Sequence, residues 1–203
     1  MLLFGILSAI SSAVLIISNL AAGKIWSLFG WPADGGLIIF PLTYIIGDLI
    51  VSLYGEKKAN VVVVTSMSLA GLMALVMSIT TNFLPPYPGW DDQAAFATVF
   101  SSASRITIAS LTGYLLSNLL NNHVFEKIHT GFIGKALGSS AVSRVVDNLV
   151  FETIAFLGVL PLKDFFLQAL FGYLAGMFLE TLLSPVSNRL YRWLKKFPLT
   201  TSA

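Results

Sequence analysis

The 203-residue chain contains no cysteine, which excludes disulfides and thiolate metal sites. Histidine is nearly absent, and His123 and His129 cannot complete a zinc site between them. Charged residues are scarce at 11%, against about 25% in ordinary soluble domains. That deficit, with a mean hydropathy of +0.82, excludes disorder and argues against a solvated globular enzyme. The formal net charge is only +2, so a basic face for nucleic acid is not expected. No glycine-rich phosphate loop is present, so any ATP drive would have to come from another protein. The opening residues MLLFGILSAI lack a positively charged stretch, so no cleavable signal is expected. Nothing in the composition calls for a metal or a cofactor, and no enzymatic activity is expected.

Apolar residues make up 56% of the chain and gather into long runs. Six runs, at about 2–28, 36–54, 59–83, 104–127, 138–160 and 164–194, are each long enough to cross a hydrocarbon core about 30 Å thick. Backbone polar groups must be satisfied inside a bilayer, so the runs are expected to be helices. A β-barrel would need short alternating strands, and NVVVVTSMSLAGLMALVMSI does not alternate. The expected fold is an all-α polytopic membrane protein of six transmembrane helices in one domain over residues 1–203, with the lipid bilayer as its surroundings.

The basic residues set an orientation. Lys57 and Lys58, Lys127 and Lys135, and Arg189, Arg192, Lys195 and Lys196 all fall on one side if there are six spans. Both termini are therefore expected in the cytoplasm. The segment PPYPGWDDQAAFATVFSSAS is then external, with Phe96, Val99 and Phe100 along the interface as a short amphipathic helix. Phe96 and Phe100 are candidates for a lid over an outward cavity.

A weak repeat accompanies this pattern. Ser18–Asn19 and Ser117–Asn118 stand 99 residues apart, as do Asp48 and Asp147. Residues 1–99 and 100–203 would then be three-helix halves, inverted because each has an odd number of spans.

Ionisable groups within a span cost about 2.5–3.5 kcal/mol on insertion scales and usually face a bundle interior or a wet cavity. The fifth run places Arg144, Asp147, Asn148, Phe151 and Glu152 on one helical face. Either they neutralise one another, as Arg144–Asp147 or Asn148–Glu152 pairs, or they wall a cavity. The second run places Pro41, Tyr44, Asp48 and Ser52 together, with no basic residue one turn from Asp48. The fourth aligns Ser110, Tyr114, Ser117, Asn118 and Asn121, either to bind neighbouring helices or to meet a ligand. Arg105 stands off that face, either reaching toward headgroups or acting as an outer-gate charge, and Arg144 is a second gating candidate. The Gly172-xxx-Gly176 pair permits close helix contact, within the chain or in a homodimer.

Taken in order, SNLAAGKI, FPLTYIIGDLIVSLYG, AFATVFSSASRITIASLTGYLLSNLLNNHVFEKI and SSAVSRVVDNLVFETIAF resemble the queuosine-precursor transporter family, also called vitamin-uptake-transporter-like. The resemblance runs from about Ser18 to Phe156. It implies a six-helix bacterial inner-membrane protein that imports 7-deazaguanine precursors of a tRNA base. It directs attention to Asn19, Pro41, Asp48, Arg105, Ser110, Asp147 and Phe151. Some relatives carry an aspartate where this chain has Asn121. A deazaguanine offers a donor edge that one carboxylate can accept in a bidentate contact. Asparagine amides match its carbonyl and ring-nitrogen positions. Aromatic faces match its ring. The expected binding set is Asn19, Tyr44, Asp48, Ser110, Tyr114, Asn118, Asp147, Asn148, Phe151 and Glu152. The competing reading is a substrate-capture subunit of an ATP-driven vitamin uptake complex, docking through Ala9-xxx-Ala13 on the first helix.

Overall fold

The computed structural model describes residues 2–196, the side chains of 101–104 excepted. Six helices dominate: α1 (Leu2–Ala21), α2 (Pro41–Tyr54), α3 (Glu56–Asn82), α4 (Gln93–Lys127), α5 (Phe132–Phe156) and α6 (Leu162–Leu194). Four of them, α1, α3, α4 and α6, are long and apolar enough to cross a membrane. α2 has 14 residues, about 21 Å at 1.5 Å each, and α5 has 25 but carries the charged face.

Several boundaries differ from the sequence expectation, the start of α2 at Pro41 instead of residue 36 among them. The first helix ends at Ala21 instead of reaching residue 28. Ile25–Leu28 (β1) and Trp31–Asp34 (β2) form an antiparallel hairpin with Leu28 opposite Trp31. Its two-residue turn, Phe29–Gly30, has positive φ at both positions (53° and 84°), the mirror-image geometry that suits strand twist. A single 3-10 turn, Gly35–Ile38, follows before Pro41 opens α2. Proline suits a first helical turn, where its missing N–H has no partner to lose. The apolar run through 22–40 thus folds back instead of adding helix. The fourth helix begins at Gln93, about a turn and a half of loop after Pro88, so Phe96 and Phe100 belong to one continuous helix and not to a separate interfacial one. The fifth begins at Phe132, before the expected residue 138.

Gly55, at φ 83°, ends α2 and starts α3 with no loop between them. A side chain would strain that left-handed conformation, so glycine sets the corner.

The helices are apolar outside and polar within. Ile6, Ile10 and Ile17 on α1, and Phe166, Leu170, Leu174, Phe178 and Leu182 on α6, are exposed. Ser117, Asn118, Asn121, Ser139, Ser140 and Ser143 are fully buried where α4 meets α5, its most extensive partner. Such a pattern fits lipid as the outer solvent, where polar groups must find partners inside. An apolar cluster of Ile45, Leu49, Ile50, Val62, Phe125 and Phe132 closes the end of the bundle nearer the termini. A smaller one of Ala109, Ala155, Phe156 and Phe165 lies toward the hairpin end. No counterpart of the hairpin separates α4 from α5, which are joined by only residues 128–131.

Candidate functional site

The hairpin-bearing half of the bundle contains a cavity that opens to the outside of the bundle. Seven elements build it. α1 ends there with Ser18 and Asn19, followed by Ala22; β2 ends there with Asp34; the 3-10 turn supplies Gly36 and Leu37; and Phe40 and Pro41 open α2. α4 adds Ser110, α5 adds Arg144, Asp147, Asn148, Phe151 and Glu152, and α6 adds Gly172 and Tyr173.

Glycines hold the re-entrant turn close to α1. A Cβ on Gly36 would stand 2.8 Å from the Ser18 carbonyl oxygen, and one on Gly35 would collide with that of Ala21. The Asp34 carboxylate accepts from the Gly36 amide at 2.7 Å and caps the turn. Burial raises the Asp34 carboxyl from 3.8 to about 6, against the lowering effect of that backbone bond. The Trp26 indole donates to the Asp34 carbonyl at 3.0 Å, and Trp31 packs on Phe171 of α6 with ring centres 5.9 Å apart.

The walls carry mixed polarity. Ser110 Oγ donates to Asn19 Oδ1 at 2.5 Å, while the buried Asn19 Nδ2 has no hydrogen-bond partner among the described residues. One unpaired amide donor therefore belongs to a residue of the cavity wall. Asn148 donates to the Ala169 carbonyl, and Gln168 donates to Glu152 Oε2 at 3.1 Å. Glu152 is thus paired with α6, not with Asn148. Asp34, Asp147 and Glu152 bring three carboxylates to the cavity, and Arg144 is the one cation among the described residues that line it.

Arg144 is already engaged. Its Nε and Nη2 both donate to Glu180 Oε2, at 3.1 and 2.8 Å, and its guanidinium lies 4.1 Å from the Tyr44 ring centre. The partner is Glu180 on α6, not Asp147 on its own helix. The Gly172-xxx-Gly176 pair makes that approach possible within the chain, since a Cβ on Gly176 would stand 2.6 Å from Arg144 Nη1.

Of the ten binding candidates, Asn19, Ser110, Asp147, Asn148, Phe151 and Glu152 converge on the cavity. Tyr44, Asp48, Tyr114 and Asn118 do not line it. Tyr44 lies under Arg144, with Asp147 and Ser117 near its hydroxyl. Asn118 Nδ2 donates to the Tyr114 carbonyl at 3.0 Å. Asp48 accepts from Asn121 at 2.8 Å, deeper in the bundle. Among the gating candidates, Arg144 lines the cavity. Arg105 instead caps the end of α5, donating to the carbonyls of Ile154 and Leu157 at 2.6 and 2.7 Å. Phe96 and Phe100 pack on each other with centres 4.6 Å apart and ring planes inclined at 49°, and neither lines the cavity wall. Sequence reading missed Asp34, Leu37, Phe40 and Tyr173 as wall residues. The GG pair after Asp34, just before a proline-led helix, was the available signal for a sharp return.

A second cavity lies at the opposite end, among Ser52, Glu126, Thr130, Lys135 and Tyr191. Between the two stand Asp48, Asn121, Ser143, Arg144 and Glu180, all buried.

The family model described as "Putative vitamin uptake transporter" matches residues 34–190. A Bacillus subtilis protein named "Probable queuosine precursor transporter" is 28% identical over 152 residues, covering 72% of this chain and 66% of its own length. The Escherichia coli "Queuosine precursor transporter" is 27% identical over 152 residues, covering 74% and 67% respectively. A Haemophilus influenzae protein, also named "Probable queuosine precursor transporter", is 26% identical over 132 residues, covering 63% and 54%. The match spans about two thirds of the first two relatives and about half of the third. No solved structure matches the chain at a significant level. The family match covers well over half of the chain, together with nearly all of the cavity wall, and on that basis the chain belongs to the family described as "Putative vitamin uptake transporter".

Proposed function

We propose that the chain imports a purine-like base of the 7-deazaguanine type, a precursor of queuosine, across a bacterial inner membrane. The observation that carries this reading is the complementarity of the cavity. Asn19 Nδ2 is a buried donor without a partner, and it shares the cavity with the acceptor carboxylates of Asp34 and Asp147. A guanine-like edge presents a carbonyl beside an N–H and an exocyclic amine, which asks for one donor and a carboxylate. Phe40, Phe151 and Tyr173 supply aromatic surface for a planar ring. The names of the relatives support the same substrate class.

With both termini in the cytoplasm, as the alternate basic loops favour, the cavity opens outward. Asp147 accepts the donor edge, Asn19 meets the carbonyl, and Arg144 with Glu180 forms the floor. Transport then requires the floor to open toward the second cavity by alternating access.

The test is equilibrium binding to purified protein with 7-deazaguanine, its 7-substituted derivatives, guanine and adenine. Binding of the guanine-type bases but not adenine is expected. Asp147→Asn and Asn19→Ala should each weaken it by about tenfold or more, the effect of leaving one buried polar group unmatched. Equal binding of adenine would overturn the base assignment, and native affinity in both variants would place the base elsewhere.

A further inference from the structure

Asp48 of α2 and Glu180 of α6 are 1% and 2% exposed, and Arg144 of α5 is 5% exposed. Arg144 spends two donors on a single oxygen, Glu180 Oε2. Glu180 Oε1 is left buried without a partner. Asp48 Oδ1 accepts from Asn121, whose own oxygen accepts from Ser143 at 3.1 Å, yet Asp48 Oδ2 is also buried without a partner. Asp48 stands one turn from Tyr44, over whose ring the Arg144 guanidinium lies, so two carboxylates and one guanidinium occupy one buried layer with two acceptor oxygens unpartnered among the described residues.

Among the described residues, the surrounding elements bring no second cation to this layer. α1 has no ionisable residue, and the charges of α3 (Glu56, Lys57 and Lys58) lie in its first turns at the far end of the bundle. α4 presents Asn121 to Asp48. α5 presents Arg144 and, one turn further out, Asp147, which adds negative charge. α6 presents Glu180. With every group ionised the site holds a net negative charge out of reach of water. A buried charge without a counter-charge is removed by protonation more readily than it is tolerated. One proton cancels the excess charge and turns one bare acceptor into a donor.

We propose that Asp48 holds one proton beside the Arg144–Glu180 pair, and that this proton site links the outer cavity to the inner one. Position supports the link. Arg144 is part of the outer cavity wall, while Ser52, one turn beyond Asp48 on the same face, lines the inner cavity. When water from the outer cavity reaches the site, Asp48 Oδ2 takes a proton from it and an O–H bond forms. When the floor opens the other way, that bond breaks and the proton passes to water in the inner cavity. No electron is transferred. The role in uptake rests on the transport reading above, whereas the proton site itself does not.

Two measurements separate those claims. Infrared difference spectra of the purified protein, taken between acid and alkaline pH, should show a protonated-carboxyl band at neutral pH. Asp48→Asn should remove or halve that band, and Asp48→Glu should restore it at a shifted frequency. An unchanged band in Asp48→Asn would overturn the proposal. In proteoliposomes loaded with guanine, exchange against labelled 7-deazaguanine reports transport. An outside-acid gradient should accelerate net uptake by the wild type, and Asp48→Asn should lose that acceleration. Absence of exchange in the wild type would count against the transport reading alone. Exchange without any gradient effect, or a gradient effect that survives in Asp48→Asn, would overturn the coupling role.

Discussion

The Arg144 guanidinium occupies the space beside Gly176 where any larger residue would place its Cβ, with Nη1 2.6 Å from that position. α5 and α6 thereby approach closely enough for Arg144 to reach Glu180 at 2.8 Å. Gly176→Ala should push the guanidinium off Glu180 at a cost of about 1–3 kcal/mol, the usual range for an added methyl in a filled interior. Gly172→Ala should be milder, because its Cβ would stand 3.3 Å from Asn148 Oδ1. Thermal denaturation in detergent checks the order of the two.

The Arg144–Glu180 pair is buried on both sides, so losing one partner leaves a charge without its complement. Glu180→Gln and Arg144→Gln should each destabilise by about 3–5 kcal/mol. The double variant should be less unstable than the sum of the two, because no orphan charge remains. A double-mutant cycle on unfolding midpoints measures this coupling, and strict additivity would show that the pair contributes nothing as a pair.

Asp34 predicts a pH response of the re-entrant turn. Its carboxyl titrates at about 6 in the fold, against 3.8 for the ordinary group. The folded protein therefore favours the neutral form more than the unfolded chain does. The stability tied to that preference is complete below about pH 4 and is lost as pH rises through about 6. Relative to Asp34→Asn, the wild-type melting temperature should fall between about pH 4 and about pH 6 and then level off. A parallel profile for the two proteins would show that Asp34 does not titrate in this range.

Topology is checked by reporter fusions. Lys57 and Lys58 follow Gly55 at the α2–α3 corner, at the same end of the bundle as the termini, whereas Asp91 and Asp92 lie between α3 and α4 at the other end. Fusions after Lys58 and Lys196 should report the cytoplasm, and one after Asp92 the exterior. An exterior signal at Lys196 would require an odd number of spans.

Six helices, their order and the polar face of α5 follow from the sequence alone. Those features depend on local quantities: length of apolar run, hydropathy, and the 3.6-residue repeat that aligns Arg144, Asp147, Asn148, Phe151 and Glu152. The return of residues 22–40 as a hairpin is a different matter. An apolar stretch bounded by Gly30, Gly35 and Gly36 reads as span or turn equally well until α1 and α6 are in place to pack against it. Pairing is also non-local. Arg144 lies three residues from Asp147 and thirty-six from Glu180, and only the approach of α6 at Gly176 decides that Glu180 takes it. The same holds for the two aspartates with matching spacing. Asp147 faces the cavity while Asp48 sits below it against Asn121, because depth along a helix relative to its neighbours is fixed by packing and not by the helix's own sequence. The sequence by itself therefore determined the solvent of each helix face and the chemical types available, and the tertiary structure decided which of those groups share a cavity and which are locked to one another.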